Sequence, residues 1–294
     1  MKMLITGAHG QLGREIIDVT QSKGCPVQAP AEDDLDITDL DKVDHVITDL
    51  KPDLVINTAA YTQVDQAETD EDLAFKVNKT GCTNLARICA KNKIPLVHIS
   101  TDYVFDGQKG TPYVETDPIS PMGVYGRSKA EGEAEIRSIL KEHIILRTSW
   151  LYGFHGQNFV KTMLNLATGK NKIRVVADQY GSPTNAADLA RTILTVAEQL
   201  QRGSGSDWGT YHYCGQGIIS WYTFAEKIMD FARLNPGVRP PRVEPVETAD
   251  YPTRAARPPY SALDCRRIHK HFKISPQPWQ KSLEKTIRKL LNTQ

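Results

Sequence analysis

The stretch MLITGAHGQLGREIIDVTQSK, residues 3–23, decides the fold. MLIT (3–6) is an apolar run of strand length, and QLGREIIDVTQSK (11–23) carries its apolar residues at helical spacing. Between them Gly7, Gly10 and Gly13 stand in a GxxGxxG pattern. A strand turning sharply into a helix needs such glycines if the backbone is to approach a pyrophosphate. The helix N-terminus then offers that anion free N–H groups and the positive end of a dipole. A Cβ at the close-contact positions would push the phosphate away. A glycine triplet alone is weak evidence and also suits an ordinary tight turn; its force here comes from the strand before it and the helix after it. His9, inside the loop, reads as a surface residue.

The same alternation continues outward. VQAP (27–30) reads as a short strand, LDKVDHVITDL (40–50) as a helix, DLVINTAA (53–60) as a strand and residues 71–92 as a long helix. PLVHIS (95–100) is a fourth strand, KAEGEAEIRSIL a helix and HIILRTS (143–149) a fifth strand. Continuous apolar strands separated by helices predict an α/β fold with a parallel sheet covered on both faces. After residue 149 the rhythm breaks. Helices are expected over 158–167, 188–200, 221–234 and 279–291, and a short strand over 211–215. The proline-rich residues 235–263 read as a fixed loop over a site. The expected division is 1–149 for the dinucleotide-binding part and 150–294 for a smaller substrate-binding region, with some segments returning to the first.

The whole-chain properties exclude several function classes. The 294 residues carry a formal net charge of +1, with 40% hydrophobic and 24% charged residues. That balance argues against a nucleic-acid-coating surface or a polybasic membrane contact. Five widely spaced cysteines without a CxxC suggest neither a disulfide framework nor a zinc site, which fits a reducing cytoplasm. The apolar run before Gly7 is too short for a signal-peptide core or a membrane span.

The chemistry is expected where HISTDYVFDG (98–107) ends the fourth strand and VYGRSKAEGE (124–133) opens a helix. Thr101 lies at the C-terminal end of its strand, where open α/β sheets bind ligands. Tyr125 and Lys129 are four apart and share a helix face. An ammonium near a phenol lowers the phenol's pKa, which would make Tyr125 a usable proton donor or acceptor. Thr101 and Tyr125 could together hold a carbonyl, or the alcohol it becomes. For the ribose of a dinucleotide the segment AEDDLDITD offers Glu32, Asp33, Asp34 and Asp36. No arginine follows the second strand at once, so NADH and NADPH both stay open.

TGAHGQLG, NTAAYTQVDQAE, HISTDYVFDG, VYGRSKAEGE, RTSWLYG, DQYGSPT and RPPYSAL resemble, in this order and over nearly the full chain, the dTDP-4-dehydrorhamnose reductase branch of the extended short-chain dehydrogenase/reductase family. The resemblance implies a Rossmann-type doubly wound sheet with a smaller C-terminal substrate-binding region. It implies NAD(P)H-dependent reduction of dTDP-4-dehydro-6-deoxy-L-mannose to dTDP-L-rhamnose. Carried over by motif, Gly7, Gly10, Gln11, Leu12 and Gly13 hold the pyrophosphate, and Asp36 and Ile37 flank the adenosine. Ala60, Tyr61 and Thr62 line the path to the nicotinamide. Tyr125 gives the proton, and Lys129 also binds the nicotinamide ribose. Thr101 and Asp102 contact the sugar. Trp150 packs near the substrate, with core packing as the alternative, and Arg257 contacts the diphosphate. Tyr260 departs from the pattern, since relatives often carry Asn there. Some reductases of the family that the chain resembles are dimers bridged by a divalent ion through surface carboxylates. Mg2+ is left unassigned here, because Glu15 reads more simply as a solvated helix residue, and a monomer and a homodimer both remain open. The rival readings are a sugar-nucleotide epimerase of the same superfamily and a non-catalytic subunit like the regulatory subunit of methionine adenosyltransferase. A dehydratase is disfavoured, because Tyr103 follows Thr101-Asp102 where a second carboxylate would stand.

Overall fold

The structure, a computed structural model, describes residues 1–25, 27–167, 171–203, 208–234 and 239–292. In chain order the strands are β1 (Met3–Thr6), β2 (Val27–Gln28), β3 (Leu54–Asn57), β4 (Leu96–Thr101), β5 (His143–Thr148), β6 (Leu151–Tyr152), β7 (Lys172–Val176), β8 (Tyr180–Gly181), β9 (Thr184–Asn185), β10 (Gly209–His212), β11 (Ile219–Ser220) and β12 (Arg242–Val246). Six of them form one parallel sheet in the order β10-β5-β4-β3-β1-β2. The order reverses at β1, which lies between β2 and β3. The crevice beyond the carboxyl ends of β1 and β3 is therefore the topological switch point.

The strands read as unbroken apolar runs because both faces are covered. Met3 and Ile5 point to one layer, where Ile16 of the Gln11–Ser22 helix meets Leu189 and Ile193 of the Ala186–Gln201 helix. Leu4 and Val55 point to the other layer, against Val43, Ile47, Leu85 and Ile136 from the Leu40–Leu50, Gly81–Asn92 and Val124–Ile139 helices. The Val124–Ile139 helix is further tied to the sheet by a buried ion pair. Arg147 of β5 reaches both carboxylate oxygens of Glu133, at 2.8 and 2.6 Å. A separate core lies among the Phe159–Leu166, Trp221–Arg233 and Trp279–Leu291 helices and β7, built on Phe224, Ile228, Trp279 and Leu283.

The structure departs from the sequence expectation in three places. Residues 71–92 are not one uniform helix, because a π turn, Lys76–Thr80, interrupts it. The proline-rich stretch is not all loop. Its first four residues lie outside the described ones, but β12 follows and pairs in parallel with β7, burying Val243 against Ile173 and Val175. Pro245 is tolerated there because in a two-stranded ribbon one side of each strand needs no partner. The short strand expected at 211–215 is β10, Gly209–His212, and it extends the central sheet beside β5.

Candidate active site

The first turn after β1 is shaped by contacts that only glycine permits. Gly7 has φ +67°, and a Cβ on it would sit 2.5 Å from the Ala59 nitrogen at the end of β3. A Cβ on Gly13 would strike the Gly7 carbonyl. The two chain segments thus close on each other at the switch point. Gly10 starts the helix with no side-chain cap, which leaves the N–H groups of the first turn to an anion. These features fit a dinucleotide pyrophosphate. Leu12 offers it backbone only, because its side chain is buried in the core, while the side-chain oxygen Oε1 of Gln11 accepts from Asn158 at 3.1 Å. His9 is exposed.

At the end of β4 the residues expected to act do come together. The Thr101 hydroxyl donates to Asp102 Oδ1 at 3.0 Å and lies beside the Tyr125 phenol. The Tyr103 and Tyr125 rings meet edge to face, 5.7 Å between centroids. Gly126 lets the helix approach this closely, since a Cβ there would strike the Tyr103 carbonyl. Lys129 is buried one turn on, and the Tyr125 shift runs opposite to the one that the four-residue spacing predicts. Its Nζ donates to the Ile99 carbonyl at 2.7 Å and lies 3.2 Å from His98 Nε2. Burial instead pushes the Tyr125 phenol up to about 12; the nearby Thr101 hydroxyl opposes the rise and the Asp102 charge adds to it. Burial also pushes the Asp102 carboxyl up to about 6, against the Thr101 hydrogen bond and the nearby Ser261 hydroxyl, which favour the carboxylate. Asp102 Oδ2 is buried without a hydrogen-bond partner.

The late chain closes over this cluster. DQYGSPT acts as a staple. The Asp178 carboxylate accepts from the Thr248 backbone and hydroxyl, and Tyr180 pairs with Tyr260. Ser261 donates its N–H to the Tyr180 carbonyl at 2.8 Å. Trp150 stacks on Trp221, 3.6 Å between centroids and 7° from parallel, and lies directly over Gly181. Packing therefore accounts for much of that side chain. Arg257 is already engaged: Nη1 and Nη2 reach the two Asp65 oxygens at 3.1 and 2.7 Å.

The other expected residues spread along the crevice. Asp36 accepts from the Thr38 N–H and hydroxyl at 2.8 and 3.0 Å. Ile37 sends its side chain into the core against Gly81, so only its backbone can flank an adenosine. Tyr61 joins the small apolar cluster that includes Tyr125; Ala60 is half-buried and Thr62 exposed. Glu15 is not solvated. It is buried and accepts from the Phe154 N–H at 3.1 Å, while neighbouring Asp18 pairs with His155 at 2.8 Å. No metal is assigned to them. Three positions went unremarked in the sequence. Glu68 accepts from the Val124 N–H at 2.9 Å and so anchors the start of the helix bearing Tyr125. Asn78, on the π turn, bonds both backbone groups of Tyr61 and the Ser128 hydroxyl. His98 meets Lys129. The π turn is a recurrent mark of functional sites, but no local residue pattern announces it.

A doubly wound sheet, a glycine turn at its switch point, and a Thr–Tyr–Lys cluster at the end of β4 define a protein of the short-chain dehydrogenase/reductase class. The family model described as RmlD substrate binding domain matches residues 1–292. The chain is 45% identical to a dTDP-4-dehydrorhamnose reductase of Aggregatibacter actinomycetemcomitans, over 98% of each chain. The crystal structure of a dTDP-4-dehydrorhamnose reductase of Clostridium acetobutylicum superposes with a TM-score of 0.92 at 40% identity, covering 99% of this chain and 100% of that one. That of Bacillus anthracis, in complex with NADP, gives 0.91 at 37%, covering 98% and 99%. The chain belongs to the dTDP-4-dehydrorhamnose reductase family. Among the described residues no helix is long and apolar enough to cross a membrane.

Proposed function

We propose that this protein reduces dTDP-4-dehydro-6-deoxy-L-mannose to dTDP-L-rhamnose with NADPH. The observation that carries the reading is the gathering of Thr101, Tyr125 and buried Lys129 at the carboxyl end of β4, in a chain whose NADP-bound relative has the same fold. A bound reduced nicotinamide supplies the hydride that reaches C4. The protein's own residues do the rest. Tyr125, protonated at neutral pH, gives its proton to the oxygen developing negative charge at C4, and Thr101 holds that same oxygen. The glycine turn binds the pyrophosphate of the dinucleotide. Asp102 contacts the sugar, and Arg257 contacts the diphosphate through guanidinium N–H groups that do not face Asp65. The dinucleotide-binding part comes mainly from residues 1–149 and the substrate-binding part mainly from 150–294.

The test mixes the protein with NADPH and the 4-keto sugar nucleotide and follows cofactor absorbance and product together. One NADPH consumed for each dTDP-L-rhamnose formed supports the reading. Epimerised keto sugar with no NADPH consumed replaces it with an epimerase, and no turnover on any dTDP-keto sugar favours a binding subunit.

A further inference from the structure

Lys129 ends a buried polar chain whose protons can be assigned one by one. Asn57 Oδ1 faces the Ala59 backbone N–H at 3.0 Å and the Thr6 hydroxyl at 2.6 Å. The backbone N–H is an obligatory donor, so it fixes which end of the amide is oxygen. Asn57 Nδ2 therefore faces His98 Nδ1, at 3.0 Å. An amide N–H requires a lone pair opposite, so Nδ1 is unprotonated and the ring proton sits on Nε2. Nε2 lies 3.2 Å from Lys129 Nζ, which also donates to the Ile99 carbonyl at 2.7 Å. An ammonium has three donors and no acceptor, so it would set a donor against the Nε2–H. An amine instead accepts that proton with its lone pair and still donates to Ile99.

We infer that His98, locked by Asn57 as an Nε2–H donor, is a positioning residue that holds Lys129 as a neutral amine in the dinucleotide-free protein. The surroundings agree. Burial lowers the pKa of Lys129 and holds that of His98 well below the ordinary histidine value. Cys82, from the Gly81–Asn92 helix, and Glu133, one turn beyond Lys129, act on the amine in the opposite sense. The Cys82 thiol is pushed up to about 11 by its own burial, and Glu133 is held by Arg147. The inference rests on the reductase reading for its use: without an ammonium beside it, Tyr125 keeps its proton until substrate and dinucleotide are in place.

The test is nuclear magnetic resonance on the dinucleotide-free protein. Long-range 1H–15N correlations of the His98 ring report the tautomer, and the 13Cε shift of Lys129 reports its charge. The expected result is a proton on Nε2 only, with Lys129 losing its charge below the ordinary lysine midpoint near 10.4. His98→Gln places an amide at the Nε2 position that can turn its oxygen toward Nζ. It is expected to raise the proton affinity of Lys129 about tenfold or more, one pH unit of midpoint. A proton on Nδ1, or an ammonium signal from Lys129 that persists up to the ordinary lysine midpoint near 10.4, overturns the inference in the wild-type protein alone, whether or not the variant folds. An unchanged midpoint in folded His98→Gln overturns it as well. None of these readouts depends on turnover, so failure of the reductase reading would be seen separately in the NADPH assay.

Discussion

Arg257 grips both carboxylate oxygens of Asp65 across 192 positions of chain, joining the late proline-rich segment to the short helix Val64–Ala67. The pair is partly exposed, at 22% and 44% for the two side chains. Exposed ion pairs contribute only about 0–1 kcal/mol, so Asp65→Ala should change thermal stability little. A charged hydrogen bond to phosphate is worth about 1.5–3 kcal/mol, so Arg257→Ala should raise the KM for the dTDP-sugar about tenfold or more, with kcat nearly unchanged. Arg257→Lys should not restore it, because a point charge cannot replace a two-pronged contact. Steady-state kinetics decide the matter. A lowered melting temperature with an unaltered KM would make Arg257 a strap only.

Tyr125→Phe should lower the reduction rate about 10²–10⁴-fold, the usual contribution of a general acid. NADPH binding, followed by fluorescence, should survive. In the dinucleotide-free protein, ultraviolet titration of wild type against this variant should show no tyrosinate from Tyr125 at neutral or mildly alkaline pH, because burial holds the phenol near about 12. Full turnover by the variant would remove Tyr125 from the chemistry.

Asp102 should cost the fold stability at neutral pH. Its folded-state pKa, about 6, lies above the ordinary 3.8. Native protein therefore binds this proton more tightly than unfolded chain does. The penalty is absent below the ordinary value, grows as pH rises through the interval, and is complete above about 6. At about 1.4 kcal/mol per unit it reaches about 3 kcal/mol. Asp102→Asn should raise the melting temperature at neutral pH, by about 2–4 °C for each kcal/mol recovered. At strongly acidic pH it should have little effect. Calorimetry at the two pH values measures this, and equal shifts at both would show that ionisation is not the cause. Loss of activity in the same variant would mark a residue kept for the sugar at the expense of stability.

The elements legible in the sequence are those whose requirements are local. A phosphate cradle needs its glycines between one strand and one helix, so residues 3–23 declare it. Tyr125 and Lys129 declare a shared face because helix geometry alone joins them. The reversal of the Tyr125 shift was not legible, since burial by distant segments outweighs the spacing. The same holds for Glu68, whose carboxylate reaches the Val124 N–H from another helix, and for Asn57, whose amide is oriented by Thr6 and Ala59. Glu15 has the pattern of an exposed helix acid, yet Phe154 covers it. β12 went unseen because Pro245 argues against a strand unless the pairing is known to be a two-stranded ribbon.

The position of β10 bears on how the protein is made. During synthesis β5 emerges from the ribosome well before its neighbour, Gly209–His212, and before the Ala186–Gln201 helix that covers Ile5 and Ile16. Until then the nascent chain presents an unpaired parallel strand rich in isoleucine and leucine, the kind of edge that recruits other chains. The glycine turn, translated well before β10, thus waits for residues beyond 200 before its own sheet is complete, and a ribosome stalled before that point releases a sticky product rather than a small nucleotide-binding domain.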